Sequence, residues 1–359
     1  MKKLFAFVMA VMLLSALVAG CGTTAPGTTE TPAVSTEAPV TGTEAPVVNT
    51  EAPTTDVVKT GLAVVTSVSG SKDAAADAAG LAQGYSTIAA VTVDAEGKIV
   101  SCVIDAAQTN VNFDTAGVVT TALDTEFQTK NELGEGYGMK AASSIGKEWN
   151  EQAAAFAAYV VGKTAEEVNG IAVSEGYAAD ADLKASVTVH ITTFMEVVAK
   201  AVNNAQELGA TAVDTLSIGT VTNIAKSKNA AADAEGLVQV YNTYAAATKN
   251  ADGVITSCVI DASQANVNFD TTGKITNDIS VAVQTKNEIG EGYGMKAASS
   301  IGKEWNEQAA AFAAYVTGKT AAEVEGIAMS EGYAADADLK ASVTVHVTDF
   351  INVVAKAAK

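Results

Sequence analysis

Residues 85–105 have the sequence YSTIAAVTVDAEGKIVSCVID, in which two runs rich in β-branched and apolar residues flank the turn signal Asp94–Gly97. Such runs, separated by a short segment that ends in glycine, are typical of a β-hairpin. We therefore predict one strand over 85–93 and a second over 98–105. The pattern recurs around the turn signal Asn250–Gly253, so the chain contains this hairpin twice.

The hairpin belongs to a tandem duplication. Residues 58–203 align without a gap to residues 214–359, at a constant offset of 156, and 134–160 is identical to 290–316. The alignment predicts two repeats joined by a connector at 204–213. Because a segment of this length can bury a core of its own, we expect each repeat to fold alone.

The rest of each repeat favours helices. In the first repeat the glycine-rich run Gly134–Gly138 precedes a helix predicted from about Ser144 to Val161. Thr164 and Glu167 have the spacing of a capping box, which indicates a second short helix. Helical spacing of apolar residues over 183–198 indicates a third, although residues 187–192 would also suit a strand. The predicted fold class is α+β: two tandem copies of a small sheet covered by helices, after a disordered stalk.

The N-terminal residues have the layout of an export signal. Residues 1–21 carry Lys2 and Lys3 near the start, continue with an apolar run and end in Leu17-Val18-Ala19-Gly20-Cys21. This resembles a bacterial lipoprotein signal, which implies that Cys21 carries a lipid; a plain secretory peptide or an uncleaved anchor is the alternative. Residues 22–57 are rich in Thr, Pro and Glu, a composition that predicts a disordered stalk.

Composition excludes several functions. The chain has 22 basic and 41 acidic residues, a net charge of −19, so we expect no nucleic-acid partner. All the basic residues are lysine, and the motifs of common hydrolases and nucleotide-binding loops are missing from the sequence. We expect no enzymatic activity and no metal ligand set. Calcium is a weaker alternative, carried by acidic residues that lack EF-hand spacing. These residues are Asp105, Asp114, Glu132, Glu135, Glu148, Glu151 and their equivalents in the second repeat.

Each repeat contains one cysteine and one histidine. We interpret Cys102 and Cys258 as buried free thiols within strands, since a disulfide inside one repeat is impossible. We interpret His190 and His346 as structural residues, because neither has a second histidine or cysteine near it in sequence.

A family resemblance rests on the order of the hairpin, a loop, and the run Gly-Tyr-Gly-Met-Lys-Ala-Ala-Ser-Ser at 136–144. This order resembles the FMN-binding domains of bacterial extracytoplasmic redox proteins. The layout of a stalked lipoprotein with two such domains is similar to the flavin-bearing lipoproteins of Gram-positive extracellular electron transfer. In that family the flavin phosphate is esterified to a threonine of a Ser-Gly-Ala-Thr motif, and Lys140–Ser143 aligns with that motif here.

The resemblance implies FMN as the cofactor, bound covalently or not, at the junction between the glycine-rich run and the following helix. Ser143 and Ser299 are the implied ester acceptors, followed by Ser144 and Ser300, with Thr115 and Thr271 as weaker alternatives. Tyr137 and Trp149 are near enough in sequence to stack on the ring. The full set of implied cofactor-binding residues is Gly136, Tyr137, Gly138, Ser143, Ser144, Trp149, Gly292, Tyr293, Gly294, Ser299, Ser300 and Trp305.

The implied function is that of a membrane-tethered, extracytoplasmic lipoprotein that carries electrons on flavin. Its partners would be the membrane, through the lipid on Cys21, a membrane redox donor and an external electron acceptor. The alternative is a non-redox surface lipoprotein whose two repeats bind a ligand or serve adhesion.

Overall fold

The computed structural model describes residues 56–359. The predicted signal segment, Cys21 and nearly all of the predicted stalk lie outside the described residues. Within 56–359, no helix combines the length and the apolar character needed to cross a membrane.

The chain is α+β, as predicted. The first repeat and the residues after it contain β1 (Val57–Ser67), β2 (Gly80–Val93), β3 (Ile99–Phe113), α1 (Lys130–Leu133), a 3₁₀ turn (Gly134–Tyr137), α2 (Trp149–Tyr159), α3 (Ala165–Asn169), β4 (Val173–Ser174), β5 (Tyr177–Ala178), α4 (Ala181–Lys184), α5 (Thr192–Asn203) and β6 (Gln206–Thr211). The second repeat contains β7 (Thr215–Asn223), β8 (Gly236–Lys249), β9 (Ile255–Phe269), α6 (Lys286–Ile289), a 3₁₀ turn (Gly290–Tyr293), α7 (Trp305–Val316), α8 (Ala321–Glu325), β10 (Met329–Ser330), β11 (Tyr333–Ala334), α9 (Ala337–Lys340) and α10 (Thr348–Ala358).

The predicted hairpin is confirmed in both repeats. Strands β2 and β3 pair antiparallel from Gly80 opposite Phe113 to Val93 opposite Ile99. At the turn, the Asp94 carboxylate accepts the backbone N–H of Lys98 at 2.8 Å, and Gly97 takes a φ of 78° that favours glycine. Strands β8 and β9 repeat this register.

The strands form two main sheets, with the orders β3-β2-β1-β6 and β7-β8-β9. Strand β6 lies inside the segment predicted as a connector, and it pairs antiparallel with the start of β1, where Lys59 is opposite Glu207. The connector therefore extends the sheet of the first repeat.

The two sheets pack face to face, and helices cover their outer faces. On β2, Ile88 and Ala90 face the second repeat and share a core with Tyr244 and Ala246 of β8. The alternate residues of the same strand, Ala89 and Val91, pack under the helices of their own repeat. The result is four layers in the order helices, sheet, sheet, helices.

The interface between the sheets contains a buried hydroxyl network. Tyr244 donates to Ser86 at 2.8 Å and bonds Ser263 at 2.7 Å, and Thr66 bonds Ser86 at 2.8 Å. Ser86, Tyr244 and Ser263 are fully buried, at 0 % exposure each, so these bonds satisfy hydroxyl groups that water does not reach. The network links the two repeats through side chains that neither could satisfy alone.

The interface is nearly two-fold symmetric. Ala74 N–H donates to the Gly273 carbonyl at 2.8 Å, and the equivalent Ala230 N–H donates to the Gly117 carbonyl at 2.7 Å. Two ion pairs also cross the interface at equivalent positions, Lys200 with Glu288 and Lys356 with Glu132. The repeats thus meet as the subunits of a symmetric dimer would. The shared core gives a physical reason to expect that one repeat does not fold alone.

Two helix boundaries differ from the sequence prediction. The helix predicted from Ser144 begins at Trp149, because the Glu148 side chain caps it and residues before it form turns. The helix predicted over 183–198 is interrupted between α4 and α5. There, Thr188 and Val189 donate their N–H groups to the Gln152 side-chain oxygen at 2.7 and 3.2 Å, which ties the segment to α2 instead.

Candidate functional site: a lysine in an aromatic cage

A lysine surrounded by aromatic rings is the most unusual feature of each repeat. In the first repeat, Lys130 Nζ lies 4.8 Å from the ring centroid of Tyr85, 4.4 Å from that of Tyr137 and 5.0 Å from that of Trp149. The lysine is only 5 % exposed. A lysine is rarely buried to this extent unless it has a partner, and here the partners are three aromatic rings. We call this arrangement the lysine cage.

The second repeat has the same cage. Lys286 Nζ lies 4.7 Å from the Tyr241 ring centroid, 4.5 Å from that of Tyr293 and 4.7 Å from that of Trp305. The Tyr241 hydroxyl accepts a hydrogen bond from Nζ at 2.9 Å, and Tyr85 accepts the equivalent bond from Lys130 at 3.1 Å.

Local structure holds Lys130 in place. Thr129 and Glu132 form a capping box that starts α1, so Lys130 is the first residue of that helix. The neighbouring Asn131 donates its backbone N–H to the Asp105 carboxylate at 3.0 Å, which fixes α1 against β3. Trp149 is the first residue of α2, and its ring meets Phe194 of α5 edge-on at 5.6 Å.

Burial and the rings act on the lysine in opposite directions. Burial lowers the pKa of Lys130 and of Lys286 to about 8, and nearby carboxylates, Asp105 for Lys130, oppose this shift. Three aromatic faces also favour the charged ammonium. Burial raises the pKa of Tyr85 to about 12, so its hydroxyl stays protonated at neutral pH.

A cavity of about 410 Å³ opens beside Lys286. Its lining combines aromatic and apolar side chains with polar ones. The residues are Asn223, Ala225, Lys226, Gln239, Tyr241, Gln264, Lys286, Tyr293, Met295, Trp305, Val345, His346, Asp349 and Phe350. A concave, mostly apolar site with a few convergent polar groups is the usual form of a small-molecule site.

The equivalent residues of the first repeat differ at only four positions. Ser67, Ser69, Gly70 and Thr193 stand there in place of Asn223, Ala225, Lys226 and Asp349. The lysine, its three rings and the two glutamines are the same in both repeats. The second site thus has one more lysine and one more carboxylate around the same cage, and both act on the pKa of Lys286.

The predicted stacking residues do come together, but around a cation. Tyr137 and Trp149, and likewise Tyr293 and Trp305, each have Nζ of the cage lysine close to the ring. A planar ligand cannot lie on these same faces unless the lysine moves. Gly136 lies in the 3₁₀ turn, and Gly138 follows it directly with a φ of 77°; both are exposed. Their equivalents Gly292 and Gly294 have the same places in and after the 3₁₀ turn of the second repeat.

The predicted ester acceptors have local partners. Ser143 Oγ accepts a hydrogen bond from Gln152 Nε2 at 3.2 Å, and Ser299 Oγ accepts the equivalent bond from Gln308 at 3.2 Å. Ser144 is exposed, and its equivalent is Ser300. Thr115 and Thr271, the weaker alternatives, lie in the turns after β3 and β9, where the repeats contact each other.

The position expected for a phosphate is closed by a carboxylate. Glu148 is 3 % exposed and caps α2, and its two oxygens accept the N–H groups of Met139 and Lys140 at 2.8 and 2.9 Å. Glu304 makes the same contacts in the second repeat. The amides that could bind a phosphate are therefore paired with a negative charge, which would repel it.

The other candidate residues have structural contacts. In the described part of the chain, no three His, Cys, Asp or Glu side chains cluster as metal ligands would. Most of the acidic side chains accept backbone N–H groups instead, as Asp114 does from Ala116 and Val118 at 2.9 Å, while Glu135 pairs with Lys140. His190 and His346 each contact a tyrosine ring at a centroid distance of 4.1 Å. Cys102 and Cys258 are free thiols, and Cys258 is buried as predicted, whereas Cys102 is only partly buried. Desolvation raises the pKa of each thiol to about 12.

Comparisons of the chain with protein-family models, with curated proteins and with solved structures give no match.

Proposed function

We propose that the protein is a membrane-tethered, extracytoplasmic lipoprotein that binds a small ligand at the lysine cage of each repeat. The lysine cage carries this proposal, because the same unusual side-chain arrangement is present twice, and in the second repeat it lines a cavity. Attachment through a lipid on Cys21 rests on the sequence alone. Binding without chemical conversion is consistent with a non-redox carrier or capture protein.

The contacts of the cage lysine indicate what a ligand would need. An ammonium has three N–H donors, and in the described structure the Tyr241 hydroxyl is the acceptor that Lys286 finds. A ligand with an acceptor or a negative charge would pair with the remaining donors. Met295, Trp305 and Phe350 in the cavity wall would pack against its apolar body.

Flavin-based electron transfer is the second candidate. It is favoured by the resemblance to FMN-binding domains. It is also favoured by the cage lysine among tyrosine and tryptophan side chains, because this buried cation would suit the electron-rich edge of a flavin ring. The contacts of Ser143 and Glu148 favour non-covalent binding in the cavity over an ester at the start of α2. The membrane donor and the external acceptor belong to this candidate.

Fluorescence titration of the mature protein tests both candidates. We expect 8-anilinonaphthalene-1-sulfonate, an anionic aromatic probe, to bind the wild type and to bind at least about tenfold more weakly when Lys130→Met and Lys286→Met are combined. Lys140→Met with Lys296→Met is the matched control, since these lysines occupy equivalent exposed positions and each pairs with a surface glutamate. Equal binding by the cage and control variants would exclude the cage as the site.

The same titration with FMN and with riboflavin decides between the candidates. Quenching of flavin fluorescence that the cage substitutions abolish, together with reversible bleaching of the bound flavin by dithionite, would support the electron carrier. Probe binding without flavin binding would leave the non-redox carrier as the function.

A further inference from the structure

We infer that the lysine cage takes small aldehydes or ketones with an apolar body and holds them as an imine on Lys286 Nζ and Lys130 Nζ. This inference rests on the proposed binding function and names its ligand class. Ion pairing does not account for the buried cage lysines. Within residues 56–359, neither Lys130 nor Lys286 has a carboxylate at ion-pair distance, whereas Lys200 and Lys356 do.

The amine has the environment of a nucleophilic lysine. It is 5 % exposed in both repeats and surrounded by rings, so it loses much of the hydration that stabilises an ammonium. With a pKa of about 8, roughly a tenth of it is uncharged at pH 7, compared with less than a thousandth of an ordinary lysine. Desolvation in an apolar pocket is a known means of activating lysine toward carbonyl groups.

A proton donor lies beside the nitrogen. The Tyr241 hydroxyl is 2.9 Å from Lys286 Nζ, and the Tyr85 hydroxyl is 3.1 Å from Lys130 Nζ. Because burial keeps both phenols protonated, each can pass a proton between nitrogen and oxygen.

The chemistry balances without an oxidant or a reductant. The uncharged amine adds to the carbonyl carbon, and the carbonyl oxygen takes a proton to give a carbinolamine. Loss of water then forms the C=N bond, so that ammonium and carbonyl give a protonated imine and one water. The protonated imine keeps the positive charge, and the three ring faces that stabilise the ammonium would stabilise it as well.

The cavity provides room for the rest of the ligand. In the second repeat about 410 Å³ lie beside the amine, with Trp305, Met295 and Phe350 in the wall. These side chains would contact an aromatic or branched apolar group and limit the access of water to the imine. The charged residues that act on Lys286 are Lys226, Asp261 and Asp349, and in the first repeat Asp105 acts on Lys130.

Reductive trapping tests the inference on the full mature chain. Benzaldehyde and sodium cyanoborohydride at pH 7 convert an imine to a stable benzyl-lysine, which peptide mapping locates. We expect Lys130 and Lys286 to be labelled at least about tenfold faster than Lys140 and Lys296. Their labelling rate should rise with pH and level off above about 8.

Three variants serve as controls. Lys130→Arg with Lys286→Arg should abolish the fast labelling, and Lys140→Arg with Lys296→Arg should preserve it. Tyr241→Phe keeps the ring but removes the hydroxyl, and it should slow labelling of Lys286 while leaving Lys130 unchanged. Circular dichroism of each variant confirms that it is folded.

Labelling of the cage lysines no faster than that of the exposed lysines would overturn the inference. If the anionic probe still binds in a cage-dependent manner in that case, the binding function stands and only the carbonyl class is wrong. If the probe also fails to bind, both proposals fail.

Discussion

Phe113 and Phe269 provide the sharpest test of the shared core. The two rings, one from each repeat, stack at a centroid distance of 4.2 Å with an interplanar angle of 8°, and neither is exposed. Phe113→Ala should cost about 3–5 kcal/mol, the usual range for a buried phenylalanine, with the upper half favoured because a stacked partner is lost too. With a urea m-value of about 3 kcal/mol/M, a loss of about 4 kcal/mol lowers the unfolding midpoint by roughly 1.3 M.

The two tryptophans allow each repeat to be observed separately. Trp305→Phe leaves Trp149 as the reporter of the first repeat, and Trp149→Phe leaves Trp305 as the reporter of the second, since the chain has two tryptophans. If the core is shared, Phe113→Ala in the first repeat lowers the fluorescence midpoint equally in both backgrounds. Leu123→Ala, at a partly exposed site, is the control and should change stability by less than about 0.5 kcal/mol. A midpoint that falls for Trp149 but not for Trp305 would show that the repeats unfold independently.

Three further predictions concern charge and location. Burial raises the pKa of Asp105 and Asp261 to about 6, so the folded state binds more protons than the unfolded state between about pH 4 and 6. Each of these residues therefore lowers the free energy of unfolding by about 3 kcal/mol as the pH rises through that window. Urea unfolding at pH 4 and pH 7 should show a smaller decrease in this free energy for Asp105→Asn than for the wild type. The side chains of the Lys200 and Glu288 ion pair are about 30 % exposed, so a double-mutant cycle with alanine should give a coupling energy of about 0.5–1 kcal/mol. This coupling energy should fall in high salt, and a value of zero would show that the pair does not stabilise the interface. Cys21→Ser should release the protein to the medium or leave it unprocessed, and cell fractionation that finds it still in the membrane would contradict the lipid anchor.

The hairpins and the duplication were predictable because both are local or repeated signals in the sequence. The packing of one sheet on the other was not, since it depends on contacts between residues more than 100 positions apart. A signal for it exists in the uninterrupted apolar run from Ile88 to Val91. A sheet with one wet face alternates polar and apolar residues, whereas a continuous run is typical of a strand covered on both faces. In the structure Ile88 and Ala90 indeed face the other sheet, and Ala89 and Val91 face the helices.

The candidate site was predicted only in part. Tyr137 and Trp149 are close in sequence and lie together, but Lys130 and Tyr85 are 45 residues apart and their contact is invisible to local patterns. Lysine is also expected at the surface, so nothing in the sequence marks Lys130 as buried. The capping-box spacing of Thr129 and Glu132 could have placed Lys130 at the first position of a helix. The direction of its side chain, into the protein, follows only from the packing of α1 against β3.

The two-fold arrangement explains why each cage depends on both repeats. A single repeat can cover its sheet with helices on one face only, so the opposite face, with Ile88 and Leu62, needs the second repeat. The cage helices are also held from across the interface: α6 begins with Lys286, and its Glu288 pairs with Lys200 of α5. Helix α5 in turn contributes Phe194, which packs against Trp149 of the first cage. Helix α10 of the second repeat makes the equivalent contacts: its Lys356 pairs with Glu132 of the first repeat, and its Phe350 packs against Trp305 of the second cage. Each lysine cage is therefore supported by a helix whose other end supports the second cage, and changes at the interface should alter both sites together.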